Sequence, residues 1–478
     1  MHHPFQCLAT FGVTQPSSDE GGLFRRNILF AASGPQILTV NIKTGHIVST
    51  WPLEDTKEPE DEQPGSKDEK GMNLAARPKI INLVAVNDGA HLIAVTGEDK
   101  CIRVFGVDAE GRLSELSERS MPKRPCAIGL TPDNRTIICG DKFGDVYAIP
   151  LQYEERIVTD SVSNITEEPK KTFVPSASEK TVHSARNRRA LEDQRKQALV
   201  ANAKEPLKFE HQLLLGHVSL LTDLLSVTTG SSNTGDFRHY ILTSDRDEHI
   251  RVSRGPPQAH IIENYCLGHA EFVSKLLLVT PDVLISGGGD DHLIAWDWKA
   301  GRKLAQLDLR DLVVEAGLDG EVDIAVSGLW SIYDEPRQRY LVLVALEGVP
   351  TLLTFIMSVD NDIVTVSGRA VTSLPGNLIC LIVMDKSIVV SSDSLKQDKE
   401  TSHKERLSAY TLDSNFIVTG KSSRDLGEMW QIDPAIGATL SETNGHSSLE
   451  ASRAQVNETV YSIRSLRKRG GYGEESQL

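Results

Sequence analysis

Short runs rich in valine, isoleucine and leucine recur along this chain: 28-ILFAASGPQILTVN-41, 92-LIAVTGEDKCIRVFGV-107, 136-TIICGDKFGDVYAI-149, 240-YILTSDRDEHIRVS-253, 283-VLISGGGDDHLIAWDW-298, 340-YLVLVALEG-348 and 379-ICLIVMDKSIVVSSD-393. They lack the 3.6-residue spacing of a helix and are punctuated by glycine, aspartate and asparagine, so the pattern predicts strand hairpins. Three polar stretches interrupt the series, at 54–78, 152–206 and 414–458. The first includes 54-EDTKEPEDEQPGSKDEKG-71, which cannot bury enough apolar surface to order itself. The second ends in 183-HSARNRRALEDQRKQALVANAKEP-206, which reads as an exposed basic helix or a disordered loop.

The turns measure the repeat. Asp99, Phe143, Asp247 and Asp290 are each followed three residues later by an aliphatic side chain, and the intervals between them are 44, 104 and 43 residues. Two intervals fit a WD-type repeat of about 40–45 residues, and the third fits once an insertion at 152–206 is subtracted. In 268-GHAEFVSKLLLVTPDVLISGGGDDHLIAWDW-298, His269, Ser286, Asp290 and Trp296 stand at the spacings of the hydrogen-bond chain that ties the Gly-His loop of such a repeat to its central strand. The neighbouring repeat has His217 and Asp247 but Ser253 in place of the tryptophan, which predicts a broken chain. The expected fold is all-β: a seven-bladed WD40 β-propeller spanning 1–466 with long charged loop insertions at 54–78, 152–206 and 414–458. The N-terminal PFQCLAT is expected to close the ring as an outer strand of the last blade, and 460-VYSI-463 to form a closing strand. A basic, disordered tail is expected at 467–478.

Composition narrows the function. A net charge of −15 disfavours a surface that itself wraps a phosphate backbone. Six scattered cysteines without a C-x-x-C pair read as reduced thiols in a cytosolic or nuclear protein, and the strongest apolar run, 377-NLICLIVMDKSIVV-390, is interrupted by Asp385 and Lys386, so no membrane span is expected. The glycine-rich 286-SGGGDD-291 continues into a strand rather than a helix, so it reads as a structural turn and not a cofactor loop. Asp290, Asp291 and His292 are better explained by that turn than by a metal, and His2 and His3 read as solvated. No catalytic constellation, cofactor site or metal site is expected.

One charge run remains. Six charged residues lie from Asp245 to Arg254 where a strand is required, and Arg246, Glu248, His249 and Arg251 have no internal assignment. Such a run is ordinarily a solvated rim, but strand alternation puts Arg251 on the strand itself, where a guanidinium suits pairing with a carboxylate of another protein. A generic adaptor for ubiquitin ligase or chromatin assemblies fits the fold equally well.

The runs LLGHVSLLTDLL, TSDRDEHIRVSRGPP, CLGHAEFVSK, ICGDKFGDVYAI and VYSIRSLRKRG resemble the WD-repeat, non-catalytic subunit of eukaryotic tRNA (guanine-N7)-methyltransferase in its fungal form. The resemblance implies a heterodimer in which a separate Rossmann-type subunit binds S-adenosylmethionine and methylates N7 of a guanine in the tRNA variable loop. It implies that this chain steadies and positions that subunit, that tRNA is met mainly through it, and that Arg251 pairs with an acidic residue of the partner. Arg246, Glu248 and His249 lie beside it, His249 standing where related chains have lysine. Arg467, Lys468 and Arg469 are candidate phosphate contacts, a solvated end being the alternative. The expected location is the nucleus, with the cytoplasm left open.

Overall fold

The computed structural model describes residues 3–11, 27–52, 77–155, 207–230, 237–318, 322–360, 363–384, 387–393, 406–412, 429–445 and 452–468. Seven four-stranded antiparallel sheets follow one another along the chain, and within each the spatial order of strands is their order in sequence. The inner strands, which neighbour one another around the ring, are Phe5–Thr10, Ile80–Ala85, Pro125–Leu130, Leu221–Thr229, Val273–Leu278, Val326–Asp334 and Asn377–Met384, and they begin blades one to seven. This is the expected propeller. The seven apolar runs of the sequence mark its blades, because second and third strands such as Ile28–Ser33 and Gln36–Asn41 are buried on both faces by the neighbouring blades.

Apolar layers fill the spaces between blades: Leu225, Leu242, Ile250, Val273 and Trp296 between blades four and five, for example, and Phe5, Leu29, Ile382 and Val389 between blades one and seven. Hydrogen bonds also run around the ring. Gln6 Nε2 donates to Ile80 O (3.0 Å), Cys126 Sγ to Leu221 O (3.0 Å), Thr222 Oγ1 to Val273 O, Ser274 Oγ to Val326 O (2.5 Å) and Ser391 Oγ to Phe5 O (2.6 Å). Each acceptor sits at a register shift in its inner strand, so the bulge frees a carbonyl for the preceding blade.

Several expectations are corrected. PFQCLAT supplies the inner strand of blade one, pairing with Ile28–Ser33, so no strand is shared across the seam between blades seven and one. VYSI is not a strand: Val460 ends the helix Arg453–Val460 and Ile463 begins the 3₁₀ turn Ile463–Leu466. The stretch 414–458 is not simply an insertion, since it holds the fourth strand of blade seven, Trp430–Ile432, with Trp430 buried, and three short helices. His3 is buried, with Nδ1 2.9 Å from Pro4 O and its carbonyl accepting from Ser33 and Arg406. The described residues of Tyr153–Glu210 belong to a separate unit, in which Glu155 and Phe209 pair in an isolated bridge; in sequence it comes between the third and fourth strands of blade three. Most of 54–78 and 152–206, including the basic cluster at 186–189, lies outside the described residues. All six cysteines are unpaired. Among the described residues no helix is long and apolar enough to cross a membrane.

Candidate functional site

Blade five carries the expected chain intact. His269 Nδ1 lies 2.7 Å from Asp290 Oδ2 and Nε2 2.7 Å from Ser286 Oγ, which also accepts from Trp296 Nε1 at 2.8 Å. Burial alone would raise the Asp290 carboxyl, but the His269 hydrogen bond and charge outweigh it and hold the pKa below the ordinary value. The glycine turn is structural: a Cβ on Gly288 would stand 1.7 Å from Phe272 O. Asp291, named beside Asp290 as a possible metal ligand, is held by both Nε and Nη2 of Arg310.

Blade four solves the same problem with different residues. His217 Nδ1 lies 3.1 Å from Asp245 Oδ2 and Nε2 2.7 Å from Thr243 Oγ1, so the histidine pairs with Asp245 and not with Asp247. The chain is altered rather than broken. Ser253 leaves the tryptophan slot open, and the side chain of Arg251, two residues earlier on the same sheet face, fills it. Arg251 is 8% exposed; Nε donates to Ser253 Oγ (2.9 Å) and Nη1 to Gly216 O of the Gly-His loop (3.0 Å), and burial lowers its pKa from the ordinary value. The expectation that this guanidinium lacks an internal role is therefore corrected. Nη2 makes no hydrogen bond among the described residues.

The other three residues of the charge run also have intramolecular partners. Arg246 Nε donates to Leu466 O (2.7 Å), Glu248 pairs with Lys468 (3.1 Å), and His249 Nδ1 lies 3.5 Å from Asp245 Oδ1. Around them, however, the edge between blades three and four is apolar and open. Phe143, Val218, Tyr265 and Leu267 are exposed, Val218 completely, and Lys123 Nζ lies 4.0 Å over the Phe143 ring. His249 packs 6.3 Å from Tyr265, which pairs in register with Arg251, and the Gly144 turn beside Phe143 abuts His217 and Ser219. Val218 lies two residues from Gly216, which Arg251 bonds, and Tyr265 pairs with Arg251, so exposed apolar residues flank the buried arginine on both sides, with Phe143 at the turn that abuts His217 and Leu267 two residues beyond Tyr265.

The first two residues of the expected tail, Arg467 and Lys468, are bonded to the ring. Arg467 Nη2 donates to Gly289 O (2.9 Å) and Ile324 O (3.0 Å), and Nη1 lies 3.2 Å from Glu271; Lys468 Nζ lies 3.2 Å from Asp247 and 3.1 Å from Glu248. Two of the three candidate phosphate contacts are thus engaged with the chain itself, and Arg469 lies outside the described residues. Upstream, Glu347 accepts from the backbone N–H groups of Ile463 and Arg464, and Asp393 from Arg453 Nη1 and Tyr461 Oη. Lys79 of blade two donates to Gln455 O and Thr459 Oγ1. All these groups lie at turns between second and third strands or on segments entering inner strands, so Arg453–Lys468 spans one face of the propeller.

Asp99, Cys101 and Glu118 bring three ligand-type atoms together. The guanidinium of Arg103 already supplies the cation there, 2.6 Å from Asp99 and 2.9 Å from Glu118.

A family model described as the tRNA methyltransferase TRM82 WD40 domain matches residues 29–414. Curated relatives named tRNA (guanine-N(7)-)-methyltransferase non-catalytic subunit include one from Phaeosphaeria nodorum, 37% identical over 98% of this chain and 99% of the relative. One from Aspergillus oryzae is 39% identical over 98% of each chain, and one from Saccharomyces cerevisiae 27% identical over 82% of this chain and 76% of the relative.

Proposed function

The chain belongs to the TRM82 WD40 family of tRNA (guanine-N(7)-)-methyltransferase non-catalytic subunits, and on that premise we propose that it forms a heterodimer with a separate catalytic subunit held against the rim of blades three and four. The observation that carries this reading is the exposed patch of Phe143, Val218, Tyr265 and Leu267 beside His249 and Arg251. An apolar centre edged by histidine and arginine is the composition of a protein interface. A partner carboxylate reaches Arg251 at Nη2, the nitrogen left over by its structural bonds, so the arginine both braces the rim and edges it.

The partner supplies S-adenosylmethionine and most of the tRNA contacts, which suits a chain of net charge −15. The propeller holds the catalyst in its active form, in the nucleus; imaging of the tagged full-length chain checks the location.

Co-elution of the two purified subunits tests the interface. Val218 is fully exposed, so Val218→Asp costs the fold nothing and should weaken association about tenfold or more by burying a charge in the apolar centre. Wild-type affinity for Val218→Asp would remove this rim from the interface.

A further inference from the structure

Among the described residues no histidine faces the second turns of blades six and seven, yet those turns bury carboxylates: the side chains of Glu347 and Asp393 are 4% and 2% exposed. A buried acceptor without a donor is costly. The donors come from the far end of the chain. Glu347 accepts from Ile463 N at 2.7 Å and Arg464 N at 2.9 Å, and its carbonyl from Arg464 Nη2 at 2.6 Å. Asp393 accepts from Arg453 Nη1 at 2.7 Å and Tyr461 Oη at 2.8 Å, while Asn377 Nδ2 donates to the same hydroxyl.

The segment reaches further on both sides. It takes Lys79 of blade two at its start, and at its end Arg467 bonds the blade five turn while Leu466 O and Lys468 bond Arg246, Asp247 and Glu248 of blade four. Five of the seven blades are thereby tied together across one face. Blades seven and one are far apart in sequence, and the segment passes over their seam from Asp393 of blade seven to Lys79 of blade two, adding to the apolar layer and the Ser391–Phe5 hydrogen bond already there.

We propose that Arg453–Lys468 is a clasp that closes the ring and fixes the blade four turn for docking, so that breaking the clasp at blade seven weakens partner binding at blade four. The docking half of this inference rests on the rim reading above; the clasp itself does not.

Hydrogen exchange on the full-length chain, paired with titration of the catalytic subunit, tests both halves. The double variant Arg453→Ala, Tyr461→Phe strips Asp393 of its donors and leaves blade four untouched. It should speed exchange about tenfold in 377–384 and in 245–251, and weaken the partner several-fold. Lys468→Glu, at an exposed position, should leave the melting temperature unchanged, speed exchange in 245–251 alone and weaken the partner to a similar extent. Wild-type exchange in 245–251 and wild-type affinity in both variants would overturn the inference. A wild-type chain that fails to bind the catalytic subunit would sink the rim reading instead, and exchange in the chain alone would still judge the clasp.

Discussion

Blades four and five and blades six and seven face one problem and answer it differently. Each has a carboxylate buried at the turn between its second and third strands: Asp245, Asp290, Glu347 and Asp393. In the first pair the donor is local, a histidine 28 or 21 residues upstream in the loop entering the same blade. In the second pair it is remote, arriving from 117 residues away for Glu347 and 68 for Asp393. Blades four and five satisfy the buried turn carboxylate with their own histidine. Blades six and seven take its donors from 453–464, so their degeneracy is compensated rather than tolerated.

The largest expected effect breaks the local solution. His269→Ala leaves Asp290 and Ser286 buried without their shared partner and should cost about 3 kcal/mol or more in urea unfolding. Glu347→Ala breaks the remote one, stranding the N–H groups of Ile463 and Arg464; about 2 kcal/mol is expected, with the loss appearing as faster exchange at the seam rather than within blade six alone. If Glu347→Ala perturbed only blade six, the two solutions would not differ in reach.

The part of this contrast that was legible in the sequence is the local part. Middle strands are buried on both faces and read as apolar runs, which is why seven blades could be counted. Outer strands such as Leu113–Ser120, LSELSERS, are largely exposed and carry no such signal, and the three-residue strand Trp430–Ile432 is hidden in a polar stretch. The His269 chain follows from spacing because all its members lie in one repeat. The partners of Glu347 and Asp393 do not, because no periodicity connects them to residues 453–464.

Arg251 shows the same limit at a single residue. Alternation places it correctly on the strand, and the missing tryptophan at Ser253 is visible in the sequence, but the repeat pattern does not say which side chain fills the empty slot. A vacancy in a repeat is a signal that a neighbour on the same sheet face will fill it. Phe143, Val218, Tyr265 and Leu267 had no comparable signal, since an exposed apolar residue looks like a core residue until the fold is known.

Two smaller effects sharpen the comparison. Arg251→Leu removes the bonds to Gly216 O and Ser253 Oγ while keeping the slot filled, and should cost about 1–2 kcal/mol of stability in addition to weakening the partner. The smallest is a pH effect from the histidine-paired carboxylates of blades four and five. The folded pKa values of Asp245 and Asp290 lie below the ordinary carboxylate value, so their contribution is present above about pH 4 and is lost as pH falls through the folded values. Asp290→Asn should therefore flatten the acid limb of the stability profile; an unchanged slope would show that the histidine pair contributes nothing there.

The central claim is that this ring acts by holding a separate catalyst, and one measurement meets it head-on: methyl transfer to guanine N7 of tRNA by the reconstituted catalytic subunit, with wild-type chain, with Val218→Asp, and without the chain. The account predicts strong methylation only with the wild-type chain, little with the catalytic subunit alone, and none from the propeller by itself. Equal methylation by the catalytic subunit with and without this chain would contradict it.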